Sequence, residues 1–171
     1  MIPVAAWIGG VFLTLNLLYF ANLIPPVPLA LKTGRIYHSV KRAPDGKYEA
    51  QYVAPPFWEF WKKGDDPFFF SKGERVYCYS AVFAPRKLHI PIFHAWSHRT
   101  INGWKVTDRI RIQIAGGRDG GYRGYTSKQG ITPGEWRVEI ETERGQTLGR
   151  ISFTVLDSPD PHPPLKTEIL E

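Results

Sequence analysis

From Val4 to Ile24 the chain reads VAAWIGGVFLTLNLLYFANLI without one charged residue. At 1.5 Å per residue, about 21 residues rise roughly 30 Å, the thickness of a bilayer's hydrocarbon core. The run is expected to form one transmembrane helix. Trp7 near one end and Tyr19 with Phe20 near the other stand where amphipathic rings settle at lipid headgroups. Pro25, Pro26 and Pro28 stop the helix, because proline lacks the N–H and forces extended geometry on the residue before it. Residues 1–31 therefore read as membrane helix and proline stop. A cleaved signal peptide is the rival reading, but the run lacks a preceding basic stretch, is too long and shows no small-x-small site before Pro25. Asn16, Asn22 and Gly9-Gly10 suit contact with further membrane helices of the same or another protein, or are simply tolerated in lipid. Lys32, Arg35, Lys41 and Arg42 follow the run, so local charge places the remainder in the cytoplasm if the chain is complete; upstream helices could reverse this.

Beyond the helix and a short neck, roughly 100 residues remain, enough for one domain with its own core. The net charge is +6, but the cations are scattered among acids, so nucleic acid is not an expected partner. Cys78 is the only cysteine, which excludes an intrachain disulfide, a CxxC redox pair and a thiolate zinc cluster. It sits in an aromatic run, where a buried inert thiol is the ordinary outcome.

Residues 32–72 read as a juxtamembrane neck. Pro44-Asp45-Gly46 signals a turn, and Tyr48, Ala50 and Tyr52 alternate as a strand does. Phe57, Trp58, Phe60, Trp61 and Phe68 to Phe70 follow, a density of aromatics that seldom stays free in water. They are expected to lie in the membrane interface beside the helix, as Trp7 and Tyr19 do, or to cover an open sheet edge. From Glu74 the period becomes two. ERVYCYSAVF is apolar on both faces and reads as a central strand, and Pro91 confines the start of the next run to an edge or bulge. Asn102-Gly103 makes a tight turn into a strand with Trp104, Val106, Ile110, Ile112 and Ile114 on one parity, expected to face the core. Trp136, Val138 and Ile140, then Ile151, Phe153 and Val155, make a β-hairpin around Arg144-Gly145. The expected fold is an antiparallel, immunoglobulin-like β-sandwich over residues 73–157, an all-β domain preceded by one transmembrane α-helix. The Pro-rich tail, 158–171, is expected to be extended or disordered.

The order RVYCYSAVFAP, HAW, GW, YRGYTSK and PGEWRVEIETERGQTLGRISFTV, over about residues 74–156, resembles the bacterial domain of unknown function 2914. NLIPPVPL is similar to the junction by which multi-helix members join their membrane part to this domain. The resemblance implies a β-sandwich in membrane or exported proteins, a bacterial inner-membrane location, and no catalytic residue.

His89, His94 and His98 fall close together, and His94 and His98 would share one face of a strand, but no acid stands among them to complete a metal site. No Ser lies in a GxSxG context, and no catalytic residue, metal or cofactor is assigned. GGRDGGYRGYTSK, Gly116 to Lys128, is a candidate binding loop: glycines allow close approach, and Arg118, Tyr122, Arg123, Tyr125 and Lys128 can hold phosphate, carboxylate or sugar. It lacks both phosphate-loop patterns, and a bulged strand would leave the same trace. The expected function is a membrane-anchored binding module. Its loop, with His94 and Trp96 beside it, would contact an envelope polysaccharide or a partner protein. A small metal-dependent hydrolase and a structural accessory of a membrane complex are the alternatives.

Overall fold

The computed structural model describes residues 4–21, 29–59, 64–83, 91–112, 115–116, 122–158 and 164–170, of Tyr19, Ala115 and Gly116 the backbone alone. It opens with α1 (Val4–Phe20), 17 residues that end before the prolines. Every described side chain from Val4 to Leu15 is exposed, and none of them is charged. Thr14 and Asn16 satisfy themselves within the helix, donating to the carbonyls of Gly10 (2.8 Å) and Phe12 (2.7 Å). At 1.5 Å per residue α1 is about 26 Å long, shorter than the expected span of about 30 Å. Among the described residues no helix is long and apolar enough to cross a membrane. Asn22, Ile24 and the proline stop lie outside the described residues.

The rest is β-structure: β1 (Ala30–Tyr37), β2 (Ser39–Arg42), β3 (Tyr48–Val53), β4 (Phe68–Phe70), β5 (Val76–Phe83), β6 (Ile92–Thr100), β7 (Gly103–Arg111), β8 (Ala115–Gly116), β9 (Tyr122–Lys128), β10 (Gly134–Thr142), β11 (Thr147–Asp157) and β12 (Leu165–Leu170). The strands form three sheets, ordered β1-β5-β9-β8, β4-β11-β10-β6-β7 and β12-β3-β2. Pairing is antiparallel throughout the described strands except between β11 and β4, so the architecture is mostly antiparallel.

The first sheet lies between the other two, because β5 is apolar on both faces. Val76 and Cys78 pack with Phe68, Trp96, Trp136, Val138, Phe153 and Val155 of the second sheet. Tyr79 and Ala81, on the opposite parity, pack with Val40, Tyr48, Ala50, Tyr52 and Leu170 of the third. Gly34 lets β1 lie against β11; a Cβ there would meet the Ile151 side chain at 2.6 Å.

Two boundaries expected from the sequence are corrected. The segment 32–72 is not a neck outside the domain: β1 pairs along its length with β5, and β2, β3 and β4 join the other sheets. The tail is extended from Leu165 onward, but it belongs to the domain: it pairs with β3, Leu165 opposite Val53 and Leu170 opposite Tyr48. Lys32, Thr33 and Gly34 in β1, and Lys166, Thr167 and Glu168 in β12, interrupt the apolar alternation, and pairing with a neighbour supplies what local pattern lacks.

β7 also departs from its expected parity. A bulge at Thr107 places Asp108 opposite Trp96 and Val106 opposite Ser97, so Ile110 stays on the core face while Trp104 and Val106 turn outward. Trp104 is held there by guanidinium groups, Arg137 at 4.4 Å and Arg99 at 5.8 Å from the ring.

Candidate functional site

The described residues of the glycine-rich stretch do not share one surface. Arg118 lies outside the described residues. The other four residues sit on β9, whose partners fix their direction: Tyr122 and Lys128 oppose Val82 and Val76, whereas Arg123 and Tyr125 oppose Ala81 and Tyr79. Alternation therefore turns Tyr122 and Lys128 toward the second sheet and Arg123 and Tyr125 toward the third. The Tyr125 ring meets Tyr48 edge-on at 6.0 Å, and the Tyr48 hydroxyl donates to the Arg123 carbonyl (3.4 Å). Lys128 pairs with Asp108 and lies 5.5 Å from the Trp136 ring. Its hydrogen bond is the main reason the Asp108 carboxyl falls below its ordinary range.

His94 and Trp96 are fully buried between the first and second sheets, so neither can reach a ligand at the surface; the expectation that they flank a binding loop is corrected. Ser80 Oγ stands 2.8 Å from His94 Nε2 and Thr126 Oγ1 2.8 Å from Nδ1, while Trp96 Nε1–H donates to Thr126 Oγ1 (3.2 Å). Hydroxyls both donate and accept, so a neutral imidazole with one N–H is fully satisfied. Burial pulls its pKa down to about 3. A Ser–His–Thr set this enclosed is a polar brace of the core, with no access for substrate. His98 lies on the same face, as expected, but stacks on Trp136 (4.6 Å). His89 lies outside the described residues. Among the described residues no three His, Cys, Asp or Glu side chains are grouped to hold a metal ion.

A different region gathers polar chemistry next to exposed aromatics. His38 stands between β1 and β2, where the chain folds back over the first sheet: Tyr37 pairs with Tyr77, and Ser39 with Gln51. The segment after β3 returns to this hinge at Gly64, whose φ of +98° and 3.1 Å Cβ approach to the Ile36 carbonyl oxygen favour glycine. Asp65 then donates its N–H to that same carbonyl (2.8 Å). Its carboxylate accepts from the Val53 N–H through Oδ1 (2.7 Å) and meets His38 Nδ1 through Oδ2 (2.7 Å). His38 Nε2 donates to the Phe69 carbonyl (3.0 Å), and the ring stacks on Phe68 at 4.2 Å. Both side chains of the pair are almost wholly buried, 5% and 0% exposed. Burial alone would lower the His38 pKa, but the hydrogen bond and charge of Asp65, with the Phe69 carbonyl, outweigh it and raise the value above 6.5.

The same segment walls an open cleft of about 280 Å³ that includes Val53, Pro55, Pro56, Asp65, Pro67 and Phe69. Between the lining residues Pro56 and Glu59 a short 3₁₀ turn, Phe57–Glu59, projects into solvent. Phe57 is 85% and Trp58 58% exposed, their rings edge-to-face at 4.9 Å. Phe60, Trp61 and the side chain of Tyr19 lie outside the described residues; Trp7 is exposed on α1. The cleft lies at the Tyr37 end of β1, seven residue steps or about 23 Å along the strand from Ala30.

Residues 90–155 match the family described as Protein of unknown function (DUF2914), the one that the strand order resembles. No curated protein matches the chain. Among solved structures, it is similar to an immunoglobulin-like protein from Pseudomonas aeruginosa, with 11% identity, a TM-score of 0.40, and coverage of 77% of this chain and 99% of that one. It is also similar to an alkylpurine DNA glycosylase from Pseudomonas fluorescens bound to DNA containing an abasic site analog, with 15% identity, a TM-score of 0.40 and coverage of 71% of this chain. The chain spans 30% of that glycosylase. Likenesses this distant assign neither protein's properties to this chain.

Proposed function

We propose that the chain is a membrane-tethered binding module of immunoglobulin-like type, which holds a partner protein at the Phe57–Trp58 turn and the cleft behind it. The observation that carries the reading is the exposure of two adjacent aromatics at the rim of a Pro-lined cleft. Large aromatic surface left in water marks contact sites, and Trp and other aromatics dominate the energy of such contacts. The tether is α1, whose exposed Val, Leu, Phe and Trp side chains would each gain about 1.5–3 kcal/mol on leaving water. A bacterial inner membrane is the lipid phase that the reading supplies, and local thinning of the bilayer accommodates a helix a few ångströms short.

The test is photo-cross-linking from position 56, on the cleft wall beside the turn, of the full chain in bacterial membranes. Retention in vesicles after an alkaline carbonate wash, and a discrete saturable protein adduct that is lost in the Phe57→Ala, Trp58→Ala double variant, are expected. Release by carbonate would end the tether. Absence of a protein adduct, or an adduct with lipid or polysaccharide in its place, would end the proposed partner.

A further inference from the structure

The cleft is bounded by groups that one buried pair ties together, and this sets a condition on when it keeps its shape. Asp65 lines it, Val53 lines it and is fixed by Asp65 Oδ1, and Phe69 lines it and is fixed by His38 Nε2. Both atoms facing the imidazole, a carboxylate oxygen and a backbone carbonyl oxygen, are acceptors. Both bonds exist together only while one proton sits on Nε2 and another between Nδ1 and Oδ2. We infer that His38 is a proton-operated latch on the contact face: protonated, it clamps residues 64–70 to the β1–β2 hinge, and losing the proton to solvent loosens the Phe69 wall of the cleft from that hinge.

Loss of that proton leaves either the Phe69 carbonyl without its donor or a lone pair of Nδ1 against the carboxylate. Either state is unfavourable in a buried site. Among the described residues, Asp65 from the clamped segment and Glu74 beyond β4 act on the ring as carboxylates and favour the imidazolium. Glu74 is itself positioned by accepting from the Ser71 N–H (2.8 Å). The stacked Phe68 ring and the Gln51 carbonyl, which accepts from the His38 backbone N–H (2.8 Å), contribute no opposing charge. The raised His38 pKa agrees with this geometry.

The inference rests on the cleft being the contact face, but its test needs no partner, so the two fail separately. Amide hydrogen exchange of the full chain in lipid nanodiscs, corrected for the intrinsic rate, is compared at about pH 5.5 and about pH 8.5. Protection of Val53 and of residues 64–70 should fall several-fold at the higher pH while β6 and β10 keep theirs, and His38→Gln should abolish the difference. Equal protection at both pH values in the natural chain, or a fall that persists in His38→Gln, would overturn the latch. Should that variant not fold, ring-nitrogen NMR of the natural chain decides: two protonated His38 nitrogens at about pH 5.5 support it, and one overturns it.

Discussion

Among the described residues two histidine side chains are buried, and their environments drive them in opposite directions. His94 lies deep in the sandwich between Ser80 and Thr126, hydroxyls that answer either tautomer, and burial keeps it neutral. His38 lies at a strand hinge between a carboxylate and a carbonyl, which can only accept, and these contacts raise its pKa despite burial. Depth is thus a poor guide to charge. The valence of the neighbours decides, because a buried polar atom with no complement is the state that the fold avoids. His94 braces a core; His38 ties a loop segment to that core.

The largest effect should come from removing the brace. His94→Ala leaves the Ser80 and Thr126 hydroxyls facing a cavity, and about 4 kcal/mol of stability should go, read as a lower denaturant midpoint of the full chain in detergent. A loss below about 1 kcal/mol would mean that the three side chains are packing neighbours rather than a network. Next comes Asp65→Ala, expected to remove about 3 kcal/mol, since it strands the His38 imidazole and frees the Val53 N–H together. If Asp65→Ala proved nearly silent, the contrast between the two histidines would lose its second half.

A pH series sharpens the comparison further. His94 has a folded pKa near 3 against an ordinary 6.5, so the unfolded chain takes up the extra proton between those values. The stability it permits is present above about pH 6.5 and is lost as pH falls toward 3. His38 is raised above 6.5 in the fold, so its contribution is complete below that value and disappears as pH climbs through the raised one. Chemical denaturation across pH should therefore show an acid limb absent from a folded His94→Gln variant and an alkaline limb absent from His38→Gln. Both limbs unchanged in both variants would refute the assignment.

Much of this fold was legible in the sequence because period-two alternation survives wherever one face is core: the hairpin of β10 and β11, the Asn102-Gly103 turn and the central strand β5 are all where the pattern places them. It failed where pairing outweighs pattern. In β1, ALKTGRIY, apolar residues are too few to declare a strand, and in LKTEIL the preceding prolines suggest a tail, yet both complete sheets. The site was legible only in part. Phe57 and Trp58 stood out as aromatics that needed covering, but the tie between His38 and Asp65 crosses 27 residues and nothing local announces it. His94 and Trp96 had the composition of a binding strand and are interior, because a residue's parity shows which neighbours share its face and not whether that face is closed.

The smallest effect on stability, and the strictest control for the comparison, should come from the Phe57→Ala, Trp58→Ala double variant. Both side chains are exposed and their rings meet each other edge-to-face. The denaturant midpoint should shift by less than about 0.5 kcal/mol and both pH limbs should persist, because exposed residues outside any network carry little folding energy. The cross-linked adduct should nonetheless disappear. A large loss of stability would instead make the turn a cover for the sheet edge, pinning the aromatics to the domain's own core and leaving the latch with no contact face to govern.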